Sequence, residues 1–283
     1  MKPIQNVAYN PSSFDLYKRL IVPPEKKIHL SEYDPNDTAG LKDNYAVKKM
    51  LESNIRHLVE LQHLLYAEGQ QSLLVVLQGM DGAGKDSTIR NVFSGVNPKG
   101  CQVASFKAPT QEELSHDFLW RIHQKVPPKG NIEVFDRSQY EDVLVVRVKN
   151  LVPNAVLEQR YEQINNFEKM LSENGTKIIK FFLYISKDEQ KNKLLERLED
   201  PEKKWKFNPT DIQERKHWDK YMKSYETLLN KCSTEWAPWF VIPANNKWFR
   251  NLAVSQIVVE TLEGMNPKLP EPFFDDLFKI AVK

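Results

Sequence analysis

The sequence predicts an α/β fold in which a five-stranded parallel sheet lies between two layers of helices, with a helical lid and an N-terminal helical extension. Three observations carry this. Residues 73–77 are apolar with a β-branched pair, and are followed by the glycine-rich turn Gly79-Met80-Asp81-Gly82-Ala83-Gly84-Lys85 and a helix from 86 to about 93. Four further apolar runs alternate with segments of helical periodicity. One of these, 176–185, is near-continuously apolar through Ile178, Ile179, Phe181, Phe182 and Ile185, as a strand buried on both faces of a parallel sheet should be. No internal repeat or low-complexity segment interrupts the alternation. Strand order does not follow from pattern alone.

The 283 residues suffice for one large domain or one domain with a substantial extension. We divide them into an N-terminal arm and helical extension at 1–70 and a main domain at 71–283, with a lid at about 187–231. Hydrophobic residues make up 41%, enough for a core. Forty Lys and Arg against 38 Asp and Glu leave a charge of +2, so no global field points to nucleic acid, and anion binding must come from local clusters. Cys101 and Cys232 have no C-x-x-C spacing, which suggests a reducing compartment and no zinc. Residues 1–6 lack the apolar core of a signal peptide and no apolar run approaches membrane-spanning length, so a cytoplasmic location without membrane association is expected.

Taken in order, the prolines at 11, 23, 24 and 35 give an extended arm that hugs the surface. Leu51, Ile55, Leu58, Leu61 and Leu65 then mark a helix over 41–67 closed by Gly69. His57 and His63 on it fall on different faces and read as solvated or capping residues. A turn at 97–100 leads to a second strand at 102–106. Thr110 and Glu113 have capping-box spacing, and start a helix with Leu114, Phe118 and Ile122 as its buried face. His116 and His123 share a face of that helix and read as structural. The third strand, 131–138, ends in Asp136. Pro153 opens a helix that buries Leu157, Tyr161, Ile164, Phe167 and Leu171 and stops at Gly175. After the fourth strand, Ser186 and Glu189 cap a charged helix that carries Arg197 and ends at Asp200-Pro201. The basic, aromatic loop 202–209 follows, then a helix from 210 to about 231 packed through Trp218, Tyr221 and Tyr225. Residues 239–243 form the fifth strand and 248–262 the last core helix. Phe273, Phe274, Leu277 and Phe278 in the tail form a docking stripe, for its own body or for a neighbour's.

The strand, G-x-x-x-x-G-K turn and helix are the setting a phosphate-binding P-loop requires. Glycines let backbone N–H groups converge on an anion, the helix N-terminus adds its positive end, and Lys85 adds a point charge. Two details depart from the usual loop. Asp86 replaces the hydroxyl residue that normally binds Mg²⁺, and Ser87, about 100° further round the helix, cannot simply stand in. Asp81 places a carboxylate where phosphates sit, tolerable if it turns outward or shares a metal ion with the substrate; the metal is the favoured reading. Asp136, at a strand end beside the loop, stands where a second Mg²⁺ contact belongs. Lys107 at a strand end and Arg121 are candidate anion contacts, Arg121 having the alternative of an exposed helix charge. The loop 202–209 is either a solvated connection or a lid that closes over a polyanion. A guanine-reading switch would carry Asn-Lys-x-Asp, which Asn246-Lys247-Trp248 does not complete, and an inert binder would not need Asp81, Lys85, Asp136 and Glu141 together. A small-molecule phosphotransferase with a lid fits best.

These residues also carry a resemblance. Gly79 to Asp86, Ser105-Phe106-Lys107-Ala108-Pro109-Thr110-Gln111-Glu112-Glu113-Leu114 with His116 to Arg121, and Asp136-Arg137-Ser138-Gln139-Tyr140-Glu141-Asp142-Val143 resemble the type 2 polyphosphate kinases, as do the lid at 201–207 and the segment 239–248. The resemblance spans roughly 40–265. It implies a P-loop kinase fold similar to thymidylate kinase and metal-dependent phosphoryl transfer between polyphosphate and nucleotides, with Mg²⁺ as cofactor and Mn²⁺ able to substitute. Glu141 resembles the branch that accepts both nucleoside mono- and diphosphates. Carried over residue by residue, Asp81 and Asp136 hold the metal, and Lys85 with Gly82, Ala83, Gly84, Asp86 and Ser87 forms the phosphate cradle. Arg137 and Arg197 neutralise transition-state charge, while Lys107, Arg121, Arg147 and the lid lysine Lys204 line the polyanion path. Ser87 stands where the family pattern implies glycine, and Lys149 where it implies histidine. A homo-oligomer, dimer or tetramer, is implied as well. The alternative reading is an ATP-dependent nucleoside monophosphate kinase of the thymidylate kinase type.

Overall fold

The structure is a computed structural model and describes residues 15–271. Its centre is β1 (Ser72–Gln78), seven residues that are all buried, paired in parallel with β3 (Ile132–Asp136) on one side and β4 (Thr176–Tyr184) on the other. With β2 (Cys101–Ser105) beyond β3 and β5 (Trp239–Pro243) beyond β4, the order is β2-β3-β1-β4-β5, all parallel. A parallel strand cannot return by a tight turn, so each connection crosses through helices that bury their apolar stripes on the sheet. The consequence for the site lies in the register. Leu77 pairs with Asp136, so the strand-end acid lies beside the start of the glycine-rich loop.

The N-terminal segment does more than hug the surface. Asp15 caps α1 (Leu16–Leu20), and Leu16, Leu20, Val22, Ile28 and Leu30 are buried in the same core as the sheet. Ile21 forms an antiparallel bridge with Phe240 and the Val22 N–H donates to Trp239 (2.8 Å), so the arm covers the outer edge of β5. Helix α2 (Tyr45–Glu68) is capped by Asn44 and ends in Gly69, whose left-handed backbone favours glycine. Helix α3 (Lys85–Val92) follows the loop after β1.

The helix expected from Thr110 forms only in part. The capping box is present, but α4 (Gln111–Leu114) stops after one turn and a separate short helix, α5 (Trp120–His123), follows. Ser115 Oγ donates to the Glu112 carbonyl and Asp117 accepts from the Leu119 N–H, so short polar side chains take over backbone partners at the break. Leu114 is therefore 60% exposed, whereas Ile122 is buried and Phe118 half-buried. His116 stacks on Trp120, and His123 meets the edge of Phe167.

Helices α6 (Glu141–Val148) and α7 (Asn154–Glu173) follow β3, and α7 buries all five expected residues. The Ser186 cap of α8 (Lys187–Glu199) is present. The single helix expected over 210–231 is two, α9 (Pro209–Arg215) and α10 (Trp218–Cys232). The break lets α9 turn Asp211 towards Arg197 while α10 packs Trp218, Tyr221 and Tyr225 into the core. Helix α11 (Lys247–Met265) closes the fold. The expected docking stripe at Phe273, Phe274, Leu277 and Phe278 lies outside the described residues.

Candidate active site

The site lies at the carboxyl ends of β1 and β3, where α/β sheets gather their ligands. The loop after β1 bends over the start of α3, with Gly84 as its N-cap at φ +94°. A side chain at Gly84 would be strained by that backbone and would also lie only 2.0 Å from the Arg250 guanidinium. Lys85 is 8% exposed, and in this state its ammonium donates to the Gly79 carbonyl (2.8 Å). Burial depresses its pKa and the Arg137 charge adds to the effect, against the pull of Asp81, Asp136 and Glu141.

Asp81 does not hang free. Its carboxylate accepts from the Arg137 guanidinium (2.7 Å), and its backbone carbonyl from Gln190 on α8 (3.0 Å). Burial works to raise its pKa, but Lys85, Arg137 and Arg197 outweigh it and hold the carboxyl below its ordinary value. Arg137 itself sits at φ +65°, a left-handed conformation that costs a non-glycine residue on the order of 1 kcal/mol or more. Its N–H is tied to the Leu77 carbonyl (3.1 Å), and the bend swings its guanidinium between Asp81 and Glu141 (3.9 Å). Burial raises the Glu141 pKa against the pull of Arg137 and Lys85. Only one orientation of the Gln78 carboxamide satisfies both its ends. In it the nitrogen donates to Glu141 (3.0 Å) and the oxygen accepts from the Ser138 hydroxyl (3.1 Å). Arg197 reaches in from α8, held by Asp211 of α9 (3.0 Å).

Asp81, Lys85, Asp136, Arg137, Glu141 and Arg197 therefore meet in one electrostatic cluster, with Gly82, Ala83 and Gly84 as its backbone floor. Asp86 and Ser87, on the first turn of α3, turn to other partners: Asp86 to Lys206 of the 202–209 loop (3.0 Å), Ser87 to Arg250 (3.2 Å). Lys107 is exposed at the end of β2. Arg121 is neither exposed nor in the cluster; it is 7% exposed, donates to the Lys107 carbonyl (2.8 Å), and lies near Asp142 (3.6 Å) and Glu113 (3.8 Å). Arg147, in the last turn of α6, pairs with Glu158 (3.2 Å) across the Tyr161 ring, and Lys149 pairs with Glu214 (2.7 Å). Lys204 is exposed on a short turn of the 202–209 loop, next to Trp205, which is 77% exposed.

Gln78, Asp211 and Arg250 belong to the surroundings of this site but carried no sequence signal, since each reaches it through tertiary packing rather than through a motif. The donor set also suits a metal. One carboxylate oxygen of Asp136 is buried without a hydrogen-bond partner, a costly state that a cation would relieve. Among the described residues no group of three or more His, Cys, Asp or Glu could hold a metal. Two carboxylates are nevertheless a usual share for a divalent ion whose other ligands are phosphate oxygens and water.

The sequence and the fold are similar to those of known proteins. The family model for polyphosphate kinase 2 matches residues 41–270. The chain is 54% identical over 256 residues to an AMP/ADP-polyphosphate phosphotransferase of Meiothermus ruber, which covers 90% of this chain and 96% of that protein. It is 46% identical over 242 residues to an ADP-polyphosphate phosphotransferase of Rhodopseudomonas palustris, covering 81% and 83%. The crystal structure of polyphosphate kinase 2 from Arthrobacter aurescens superposes with a TM-score of 0.90 at 45% identity, covering 94% of this chain and 95% of that one.

Proposed function

The chain belongs to the polyphosphate kinase 2 family, and from that premise we infer that it moves phosphoryl groups reversibly between inorganic polyphosphate and nucleotides, with AMP and ADP as acceptors. The observation that carries the reading is the convergence of Lys85, Arg137 and Arg197 on a glycine-rich loop flanked by Asp81 and Asp136. An ATP-dependent nucleoside monophosphate kinase would use a similar loop. The names of the close relatives favour polyphosphate over ATP as donor.

In the forward direction an acceptor phosphate oxygen bonds to the terminal phosphorus of the chain. The bridging P–O bond breaks, and the polyphosphate leaves one unit shorter. Little covalent work is asked of the protein; positioning and charge do most of it. Lys85 exchanges the Gly79 carbonyl for phosphate oxygens, and the added negative charge offsets the burial that depresses it. Arg137 and Arg197 face the charge that spreads in the transition state, aimed by Asp81, Glu141 and Asp211. Glu141, held by Gln78, borders the acceptor side. Asp81 and Asp136 would hold Mg²⁺, or Mn²⁺ in its place, which supplies charge neutralisation at the phosphates when bound. Lys107, Arg121, Arg147 and Lys204 belong to the same proposal as the polyanion path, supported by the resemblance and, for Lys107 and Lys204, by exposure. Assembly as a homo-oligomer rests on the family resemblance, and a cytoplasmic location on the sequence features given above. The test is to incubate the protein with Mg²⁺, polyphosphate and AMP and separate the nucleotides. ADP followed by ATP supports the proposal; product stopping at ADP removes the dual acceptor.

A further inference from the structure

Arg250, in the first turn of α11, is 4% exposed, and among the described residues no carboxylate pairs with it. A buried, unpaired guanidinium is an expensive feature for a fold to keep. One of its terminal nitrogens donates to the Ala83 carbonyl (3.1 Å). The other donates to Ser87 Oγ (3.2 Å) and Asn251 Oδ1 (3.3 Å). Its Nε is buried with no partner. Gly84 leaves the space in which the guanidinium lies, for a Cβ there would meet it at 2.0 Å. The geometry has a direct consequence. In a planar trans peptide the C=O and N–H point opposite ways, so holding the Ala83 carbonyl back turns the Gly84 N–H towards the opposite side of the loop. The bond to Ser87 fixes the first turn of α3 with the same group.

We propose that Arg250 is a positioning residue of the phosphate site, aiming the loop amides through Ala83 and Ser87 and placing an unneutralised positive charge behind them. The inference rests on the phosphate-binding reading of the loop. It also gives Ser87 a role, since its hydroxyl accepts from Arg250. Burial lowers the Arg250 pKa to about 10, so the group is still charged at neutral pH. At an effective dielectric of about 20, a unit charge ~8 Å from a bound anion changes its affinity by roughly tenfold or more.

The test measures binding of tripolyphosphate to the whole chain by calorimetry, with thermal melts and polyphosphate kinetics alongside. Arg250→Met should weaken binding about tenfold, raise the polyphosphate KM more than it lowers kcat, and flatten the salt dependence of binding. Arg250→Lys should stay within about threefold of the original protein at pH 7. It should then lose affinity relative to the original as pH rises, because an ammonium buried there deprotonates before a guanidinium. Lys85 titrates in both proteins and cancels in the ratio. Unchanged affinity in a folded Arg250→Met overturns the inference. If that variant does not fold, a pH-independent ratio for Arg250→Lys overturns it, since a purely structural brace would give one. Should the original protein bind no tripolyphosphate, the phosphate-binding reading itself fails and the inference falls with it, a result distinct from the variant outcomes.

Discussion

Asp136 has a buried carboxylate oxygen with no partner, whereas Asp81 is already held by Arg137. Asp136→Asn and Asp81→Asn should each reduce turnover on the order of 10³-fold or more, because on the proposed reading both remove charge that would hold the metal. Their stabilities should diverge. Asn at 136 removes a carboxylate whose buried oxygen has no hydrogen-bond partner but which attracts Lys85, and should change the melting temperature little. Asn at 81 leaves the Arg137 guanidinium without its nearest carboxylate, and should lower it. Near-full activity of Asp81→Asn at ordinary Mg²⁺ would mean that Asp81 serves only to hold Arg137. The residue types at the site were legible in the sequence because glycine spacing and a strand-end acid are local signals. The pairing of Asp81 with Arg137 was not, since it depends on the left-handed bend at Arg137 and on the register of two strands. Arg250 was invisible for the same reason: α11 brings it to the loop from 166 positions away in sequence, and nothing in its neighbours announces it.

Two elements support separate predictions. Strand β3 carries the buried Glu133, whose carboxyl burial pushes up to about 7, with Lys125 opposing. The folded chain therefore keeps this proton to higher pH than the unfolded chain does. Stability should fall as pH rises from about 4.5 through about 7, by on the order of 3 kcal/mol. Glu133→Gln should remove that slope in melts followed across the same range, and an unaltered slope would assign it to other groups. The lid is the second element. Lys203 pairs with Asp200 and Lys206 with Asp86 at exposed positions, contacts that salt screens readily. Replacing Lys203, Lys204 and Lys206 by glutamine should raise the polyphosphate KM, more for long chains than for short ones, and flatten its salt dependence. Arg197→Ala should instead lower kcat at every chain length, because the role proposed for it is a contact that strengthens in the transition state. An unchanged KM for long chains in the triple variant would make the loop a solvated connection. The strands were legible to within a residue or two, since run length and flanking glycines mark them. The two helix breaks were not. At 115–119 side chains replace helical partners, and at 216–217 the chain must serve two faces at once, neither of which disturbs the local periodicity.

At the scale of the molecule, a chain with a charge of only +2 gathers Lys85, Arg137 and Arg197 among Asp81, Asp136 and Glu141 at one end of one sheet, where the proposed polyanion would meet them. The parallel order β2-β3-β1-β4-β5 places the two carboxylates on adjacent strand ends, and the arm, α10 and α11 close the core around them. Fold class followed from the alternation of strands and helices, whereas strand order did not, because pattern fixes the type of each element and not its neighbour. In the proposed reaction this site passes phosphoryl groups between polyphosphate and nucleotide with no intermediate carrier. Terminally labelled ³²P-polyphosphate mixed with AMP, Mg²⁺ and the protein is the sharpest test. The label should appear first in the β-phosphoryl group of ADP and then in ATP. Label that stays in polyphosphate, while added ATP converts the same AMP to ADP, would rule out polyphosphate as the donor.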